Sequence, residues 1–180
     1  MKLGTRRVYS GRVVNLDVDT VRYPDGSSGE LEMIRHPGAA AVVPLLSDPD
    51  GADPTLLLLR QYRYAAGGTV WEIPAGRLAH PGEDPEACAR RELREEAGIT
   101  AGRLMRLTTI WTTPGFTDEA IHLFAATELR PGTPHHERDE FIEVVARPLS
   151  AVLTMIRDGE VRDAKTVVGI LYFAGFVLGQ

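Results

Sequence analysis

The stretch Gly76–Ile99, GRLAHPGEDPEACARRELREEAGI, contains the clearest structural signal in the chain. Asp84 can cap a helix, and Pro85 suits the first helical position because its missing N–H would have no partner there. Gly98 can adopt the left-handed conformation that often ends helices. The residues in between are good helix formers. The sequence therefore predicts a helix that begins at Pro85 and ends just before Gly98.

Three carboxylates fall on one side of this predicted helix. Glu92, Glu95 and Glu96 occupy an arc of about 100°, with neighbouring Cβ atoms roughly 5–6 Å apart. Each pair repels by up to about 3 kcal/mol at 5 Å and an effective dielectric constant near 20. A hard divalent cation such as Mg²⁺ would turn that repulsion into coordination. The spacing alone also fits a solvated helix face, on which Arg91 and Glu95 form an ordinary i, i+4 ion pair.

The order of residues around these glutamates resembles the signature of the Nudix hydrolase family, G-x5-E-x7-R-E-U-x-E-E-x-G-U, where U is aliphatic. The match is complete from Glu83 to Ile99. The departure is that six residues, not five, separate Gly76 from Glu83. An extra residue in a loop costs little free energy. The extra residue leaves open how Gly76 and the carbonyl of Ala75 lie relative to a metal.

The resemblance implies hydrolysis of a nucleoside diphosphate linked to another group, with Mg²⁺ or Mn²⁺ as cofactor. It implies that Glu92 and Glu96 are the principal metal ligands, that Glu95 completes the cluster, and that Ala75 contributes its backbone carbonyl. It also implies that Arg91 orients a ligand carboxylate through a charge-assisted hydrogen bond, with Glu83 as a candidate partner.

Motifs outside the box are similar to those of the ADP-ribose pyrophosphatase subgroup. They are Glu72–Gly76 before the box, Arg35–Ala39, Arg60–Arg63, and Pro114, which lies sixteen positions after Gly98. The resemblance covers essentially the whole chain and implies cleavage of ADP-ribose to AMP and ribose 5-phosphate.

The subgroup resemblance also implies substrate contacts outside the box. Arg63 would contact the terminal ribose or a phosphate, because a guanidinium fork suits paired oxygens. Glu72 and Glu119 would line the site, and Arg35 is a further candidate for substrate binding. The alternatives are a surface arginine for Arg63 and ordinary strand-edge or turn carboxylates for Glu72 and Glu119.

The attacking water needs a base, which in this subgroup comes from a mobile loop outside the box. The corresponding loop here is His135–Glu140, and such a loop can close over bound substrate. Glu140 is favoured over Glu137 because it adjoins the following strand, and Glu95 is the rival. The loop histidines are expected to be neither ligands nor bases.

The remaining pattern predicts an α/β (α+β) fold, a Nudix α/β/α sandwich with a mixed central sheet. Residues 1–37 are predicted to form a small β-sheet region, which the resemblance suggests is a dimerisation arm, and residues 38–180 the Nudix domain. Trp71 and Trp111 are expected in the core. Strands are predicted at 8–22, 30–35, 39–46, 55–60, 70–73, 104–111, 120–127 and 142–145, and further helices at 149–157 and 166–178.

The composition, 43% hydrophobic and 25% charged, is that of an ordinary globular protein. The net charge of −5 argues against nucleic-acid binding. The most apolar stretch, residues 167–179, is shorter than the roughly 20 residues that span a bilayer, so no membrane association is expected. The single cysteine and the absence of an apolar signal core predict a cytoplasmic protein.

The expected partners are a small nucleotide substrate and a second copy of the chain, since the subgroup commonly forms homodimers. Two other functions remain open. One is a broader pyrophosphatase acting on nucleoside diphosphate sugars or on dinucleotides, including FAD. The other is a non-catalytic, Nudix-like nucleotide-binding module, although such modules usually lose box glutamates that this sequence retains.

Overall fold

A computed structural model describes residues 1–80, 82–135 and 141–179 of the chain. The N-terminal part is a three-stranded antiparallel sheet of β1 (Lys2–Ser10), β2 (Asn15–Arg22) and β3 (Ser28–Arg35), in that order. We call this sheet the arm. It is a separate sheet of its own.

The prediction of a single strand over residues 8–22 is wrong, because the chain turns back within that stretch. The N–H of Gly11 donates to the carbonyl of Val14 at 2.9 Å, which closes the turn between β1 and β2. Apolar and polar residues alternate in β2 but not in β1, and Gly11 is the local sign of the turn between them.

The other elements follow after His36. They are β4 (Ala39–Pro44), β5 (Thr55–Arg63), a 3₁₀ turn (Tyr64–Ala66), β6 (Gly68–Glu72), β7 (Ala75–Arg77), α1 (Pro85–Ala97), β8 (Ile99–Trp111), β9 (Ala120–Pro131), β10 (Ile142–Pro148), α2 (Leu149–Arg157), α3 (Ala164–Tyr172) and a π turn (Phe173–Val177). The predicted bounds of α1 and α2 are confirmed.

Two sheets form the middle layer of the molecule. The first is mixed, in the order β7-β4-β9-β8 with β4 parallel to β9, and the second is antiparallel, in the order β10-β5-β6. Strand β4 is buried along its whole length. Ala40 and Val42 pack in one core cluster with Leu93 of α1, whereas Val43 packs in the other with Ile170 of α3. The predicted α/β/α sandwich with a mixed sheet is therefore confirmed.

The two tryptophans differ in burial. Trp71 is half-buried against the core, and the guanidinium groups of Arg60 and Arg147 lie 5.3 and 5.7 Å from its ring centre. Trp111 is 72% exposed, so its predicted core position is wrong. Trp111 is the last residue of β8, an edge strand with one neighbour in the sheet, and less of the protein is available there to cover it. Within the described residues, no helix is both long and apolar enough to cross a membrane.

Candidate active site

A cavity of about 510 Å³ opens where the arm, β5, β7, α1 and the segment after β9 meet. It brings together the predicted metal-binding glutamates, Ala75, Arg91 and Arg63. The residues that line it are Arg12, Val13, Arg63, Ala75, Gly76, Arg77, Leu78, Ala79, Arg91, Glu92, Glu95, Glu96 and His135.

Helix α1 fixes the direction of the carboxylates. Its apolar side, including Leu93 and Ala89, is fully buried against the mixed sheet and sets the rotation of the helix. Glu92 and Glu96 lie one turn apart at the edge of this buried side, with 9% and 3% of each residue exposed. Glu95 is more open, with 35% of its side chain exposed.

Both helix ends follow the predicted chemistry. Asp84 accepts a hydrogen bond from the N–H of Glu86 at 3.2 Å. Gly98 has φ of 65°, and its N–H bonds to the carbonyl of Arg94 at 3.0 Å. The left-handed conformation at the end of α1 suits glycine because a side chain would be strained there.

Strand β7 brings its backbone against these carboxylates. The N–H of Ala75 donates to Oε2 of Glu96 at 2.8 Å. A Cβ atom added to Gly76 would lie 2.0 Å from Oε1 of Glu92, a distance that no unstrained contact allows. A glycine at position 76 therefore lets the strand approach Glu92.

The extra residue in the box loop does not separate β7 from α1. The N–H of Ala79 donates to Oε2 of Glu83 at 2.5 Å, and the N–H of Glu83 donates to the carbonyl of His80 at 3.1 Å. These bonds close the loop on itself, so the added length stays in the loop.

Arg91 connects the loop, the strand and the helix. Its Nη1 lies 2.5 Å from Oε1 of Glu92 and 3.1 Å from Oε2 of Glu95. Its Nε lies 3.8 Å from Oε1 of Glu83, and its Nη2 donates to the carbonyl of Arg77 at 3.0 Å. Burial alone would lower the pKa of Arg91, but the charge and hydrogen bond of Glu92 outweigh it and raise that pKa. Arg91 therefore remains a fixed cation among the carboxylates.

Among the described residues, no group of three His, Cys, Asp or Glu side chains is already arranged around one metal position. Glu92 and Glu95 are directed to Arg91, and Glu96 to the N–H of Ala75. The donor chemistry nevertheless suits a hard divalent cation, because three carboxylates face one cavity. The residues present therefore fit a hard divalent cation.

Arg63 lines the cavity, and Glu72 lies behind it. Nε and Nη2 of Arg63 donate to the two carboxylate oxygens of Glu72 at 2.7 and 2.8 Å. Burial alone would raise the pKa of Glu72, but the hydrogen bond from Arg63 and the charge of Lys165 keep it below its ordinary value. Glu72 is therefore an ionised partner of Arg63.

Two other predicted substrate contacts lie outside the residues that line the cavity. Arg35 binds Asp17 of the arm through Nε at 3.1 Å and Asp118 through Nη1 at 3.2 Å. Glu119 accepts a hydrogen bond from Oγ1 of Thr112 at 2.8 Å and lies 3.4 Å from Nε2 of His36. Both belong to the junction between the arm and the segment that joins β8 to β9.

The two loop carboxylates proposed as the base, Glu137 and Glu140, fall outside the described residues. His135, which precedes them, lines the cavity, and its N–H donates to the carbonyl of Glu95 at 2.8 Å. The loop therefore starts at the edge of the cavity.

Sequence reasoning missed three basic residues at or near the site. Arg12 lies in the β1–β2 turn, which the single-strand prediction concealed, and Arg77 follows Gly76 within the box. Lys165 binds Glu72 from the start of α3 at 2.7 Å. The adjacency of Arg77 to Gly76 could have identified Arg77, whereas no local pattern connects Lys165 with a residue 93 positions earlier.

Fold and site together define a class: an α/β/α sandwich in which a carboxylate-bearing helix and a glycine-containing strand form a cavity suited to a divalent cation. A family model described as the NUDIX domain matches residues 36–167. The chain belongs to the NUDIX family, and the prediction of a Nudix hydrolase is confirmed.

Known relatives cover most of the chain. The ADP-ribose pyrophosphatase of Bacillus subtilis (strain 168) is 38% identical over 94% of this chain and 90% of its own length. The methanol dehydrogenase activator of Bacillus methanolicus is 37% identical over 93% of this chain and 89% of its own length. A crystal structure of an ADP compounds hydrolase superposes with a TM-score of 0.84, covering 100% of this chain and 95% of that one. Its sequence identity is 22%, so it shows similarity of fold.

Proposed function

We propose that the protein hydrolyses the diphosphate bridge of ADP-ribose to AMP and ribose 5-phosphate. The observation that carries this proposal is the composition of one cavity, in which three carboxylates suited to a divalent cation face the same space as several arginines suited to phosphate. The similarity to a relative named ADP-ribose pyrophosphatase supports the choice of substrate.

The side of the cavity that carries the carboxylates is the proposed metal site, which we call the metal wall. Glu92, Glu95, Glu96 and the carbonyl of Ala75 would hold Mg²⁺ or Mn²⁺. Such an ion, when bound, polarises phosphoryl oxygens, lowers the pKa of water and neutralises the departing phosphate. Arg91 holds Glu92 and Glu95 in place through its hydrogen bonds. In the absence of a cation, the same bonds offset the repulsion between these carboxylates.

The arginines contributed by other elements are the proposed anion-binding part of the site. Arg63 at the end of β5 and Arg77 on β7 face the cavity, and each guanidinium can donate two parallel hydrogen bonds to phosphate oxygens. The roles proposed for Arg35, Glu72 and Glu119 in substrate binding stay predictions, because these residues lie behind or beside the cavity lining.

Glu140 is the proposed base for the attacking water, with Glu137 and Glu95 as the alternatives. In hydrolysis, the water oxygen forms a bond to one phosphorus, the bridging P–O bond breaks, and the base takes the water proton. The loop that carries Glu140 begins beside Glu95, where His135 bonds to the backbone of α1. A carboxylate on that loop could therefore reach the metal wall on closure.

We also propose that the protein is a cytoplasmic homodimer whose arm forms the contact between subunits. The arm exposes apolar side chains that include Leu3, Val8 and Tyr9 at 45%, 50% and 58%. Light scattering coupled to gel filtration tests this proposal, and a monomeric mass at micromolar concentration would contradict it.

The direct test of activity is incubation of the purified chain with ADP-ribose and Mg²⁺ or Mn²⁺, with products separated by ion-exchange chromatography. We expect AMP and ribose 5-phosphate in equal amounts and no turnover with EDTA. Absence of turnover with both metals would contradict the proposal.

The main alternative is a broader pyrophosphatase for nucleoside diphosphate sugars or dinucleotides, including FAD, because the metal wall would serve any diphosphate. A panel of ADP-ribose, GDP-mannose, NADH and FAD separates the two functions. If kcat/KM for another substrate exceeds that for ADP-ribose by about tenfold, a difference of about 1.4 kcal/mol in transition-state stabilisation, the assignment to ADP-ribose fails.

A further inference from the structure

The start of α3 contacts the back of the active site through a cluster of buried charges. Nζ of Lys165 lies 2.7 Å from Oε2 of Glu72 and 3.0 Å from Oδ2 of Asp163. The side chains of Glu72 and Lys165 are only 4% and 12% exposed. On the other side of Glu72, Arg63 binds both carboxylate oxygens and extends to the cavity.

The same helix start also holds the backbone that leads into β7. Asp163 caps α3 by accepting from the N–H and hydroxyl of Thr166 at 3.0 and 2.6 Å. Oγ1 of Thr166, which is fully buried, accepts from the N–H of Ile73 at 2.9 Å. The position of Lys165 relative to Glu72 is therefore fixed at both ends, by the cap of α3 and by the bond to the residue after Glu72.

We propose that Lys165 is a positioning residue that holds Arg63 towards the cavity by acting through Glu72. Lys165 does not line the cavity within the described part of the chain, so it would not touch the substrate. The inference rests on the proposed function, in which Arg63 binds the substrate.

The charges explain why Lys165 matters for Arg63. With Lys165 present, the carboxylates of Glu72 and Asp163 face two cations. Without Lys165, both carboxylates would attract Arg63 alone. The guanidinium would then move away from the cavity towards Glu72, and more of its positive charge would be neutralised. Arg63 uses Nε and one N–H of Nη2 for Glu72, so Nη1 and the second N–H of Nη2 are the donors that it can offer to an anion in the cavity.

The first test is Lys165→Met, which keeps the length of the side chain and removes its charge. We expect KM for ADP-ribose to rise by about tenfold while kcat changes by less than about threefold, because binding and not chemistry is affected. Lys165→Arg should bring KM to within about threefold of wild type, since it restores the charge. Arg157→Met, which removes an exposed ion pair at the end of α2, is the control and should change neither constant.

The second test shows whether Lys165 acts through Arg63. Arg63→Ala should raise KM more than Lys165→Met does, and adding Lys165→Met to Arg63→Ala should change KM by less than about twofold. A further tenfold rise in the double variant would overturn the proposal, because Lys165 would then act by another route. A fall in kcat with unchanged KM in the single variant would also overturn it.

The third test covers the case in which a variant does not fold. Circular dichroism checks each variant, and if Lys165→Met does not fold, Lys165→Gln is used, because glutamine removes the charge and still offers a hydrogen-bond donor to Glu72. For that variant an unchanged KM would overturn the proposal.

Binding of ADP-ribose without divalent ions, measured by calorimetry, gives a readout independent of turnover. A Kd raised about tenfold in Lys165→Met supports positioning, and an unchanged Kd overturns it. If the wild type binds ADP-ribose but does not hydrolyse it after Mg²⁺ or Mn²⁺ is added, the proposed function fails and the positioning role stands. If the wild type neither binds nor hydrolyses ADP-ribose, with or without these ions, both proposals fail.

Discussion

Two clusters of acidic side chains in this chain differ in the number of basic side chains that contact them. In the arm, Asp17 and Asp19 are held by Arg7, Arg35 and Lys2, so two carboxylates share three cations. At α1 and the loop before it the ratio is reversed. The carboxylates of Glu83, Glu92 and Glu95 share two cations, because Arg91 contacts all three and Arg94 lies 3.6 Å from Glu95.

The difference separates a structural ion cluster from a site suited to a metal. The arm carboxylates are matched by side chains of the protein itself, and a cation would have to displace arginines to enter. The three carboxylates at α1 share two guanidinium groups, and those of Glu92 and Glu95 line an open cavity, so an incoming cation gains favourable interactions there. The number of Lys and Arg side chains that contact the carboxylates therefore distinguishes the two clusters better than the number of carboxylates does.

The largest expected effect is at the metal wall. Glu92→Gln should lower kcat by at least about 1,000-fold, because a lost metal ligand removes several kcal/mol of transition-state stabilisation. Circular dichroism should be unchanged. Glu86→Gln, which alters an exposed glutamate paired with Arg90 on the same helix, is the matched control and should retain full activity. Near-normal turnover of Glu92→Gln would mean that α1 is no more a metal site than the arm is.

The next effect concerns the loop that begins beside Glu95. Glu140→Gln should lower kcat by roughly 100-fold or more, because general-base catalysis contributes about 10²–10⁴-fold. The Mg²⁺ concentration that gives half-maximal activity should stay the same, since this residue is not proposed as a ligand. An unchanged kcat would transfer the role to Glu137 or Glu95.

A third change perturbs the metal wall through the backbone. Gly76→Ala should lower kcat by about 100-fold, since a misplacement near 1 Å at a catalytic group can cost that much. The new methyl group would meet the carboxylate of Glu92. Gly68→Ala is the matched control, because a Cβ at Gly68 meets nothing within 4 Å. Equal activities for the two variants would contradict the close approach of β7 to α1.

The helix and the arm also differ in how far the sequence could predict them. Helix α1 was predicted completely, because its cap, its end and its carboxylate spacing are all local signals. The arm was predicted only in part. The aspartates of β2 show what was missing: Asp17 and Asp19 are both only 6% exposed, because the side chains of Arg7 and Arg35 lie over them.

The support behind Arg63 could not be predicted for a different reason. The sequence identified Arg63 and Glu72 separately, but strand pairing alone does not predict their ion pair. In the antiparallel register of β5 and β6, Glu72 lies opposite Leu59 and Arg63 lies opposite Gly68. The contribution of Lys165 depends on where α3 packs, 93 residues after Glu72. Contacts of this kind arise from tertiary packing, which local patterns do not encode.

The smallest effect is expected in the arm and is best measured as a titration. The hydrogen bonds from Arg35 and Thr5 lower the pKa of Asp19 to about 2, and the hydrogen bond from Arg7 is the largest cause that lowers the pKa of Asp17. The folded arm therefore binds fewer protons than the unfolded chain below the ordinary aspartate pKa of about 4. Its ion pairs stabilise the arm above that pH and are lost as the pH falls towards 2.

Carboxyl ¹³C NMR should give midpoints below the ordinary value for both arm aspartates, with that of Asp19 near 2. Activity at neutral pH is unaffected by this titration, because both groups are fully ionised there. A midpoint near 4 for Asp19 would show that the cations of the arm do not hold it, and the contrast with α1 would then lose its physical basis.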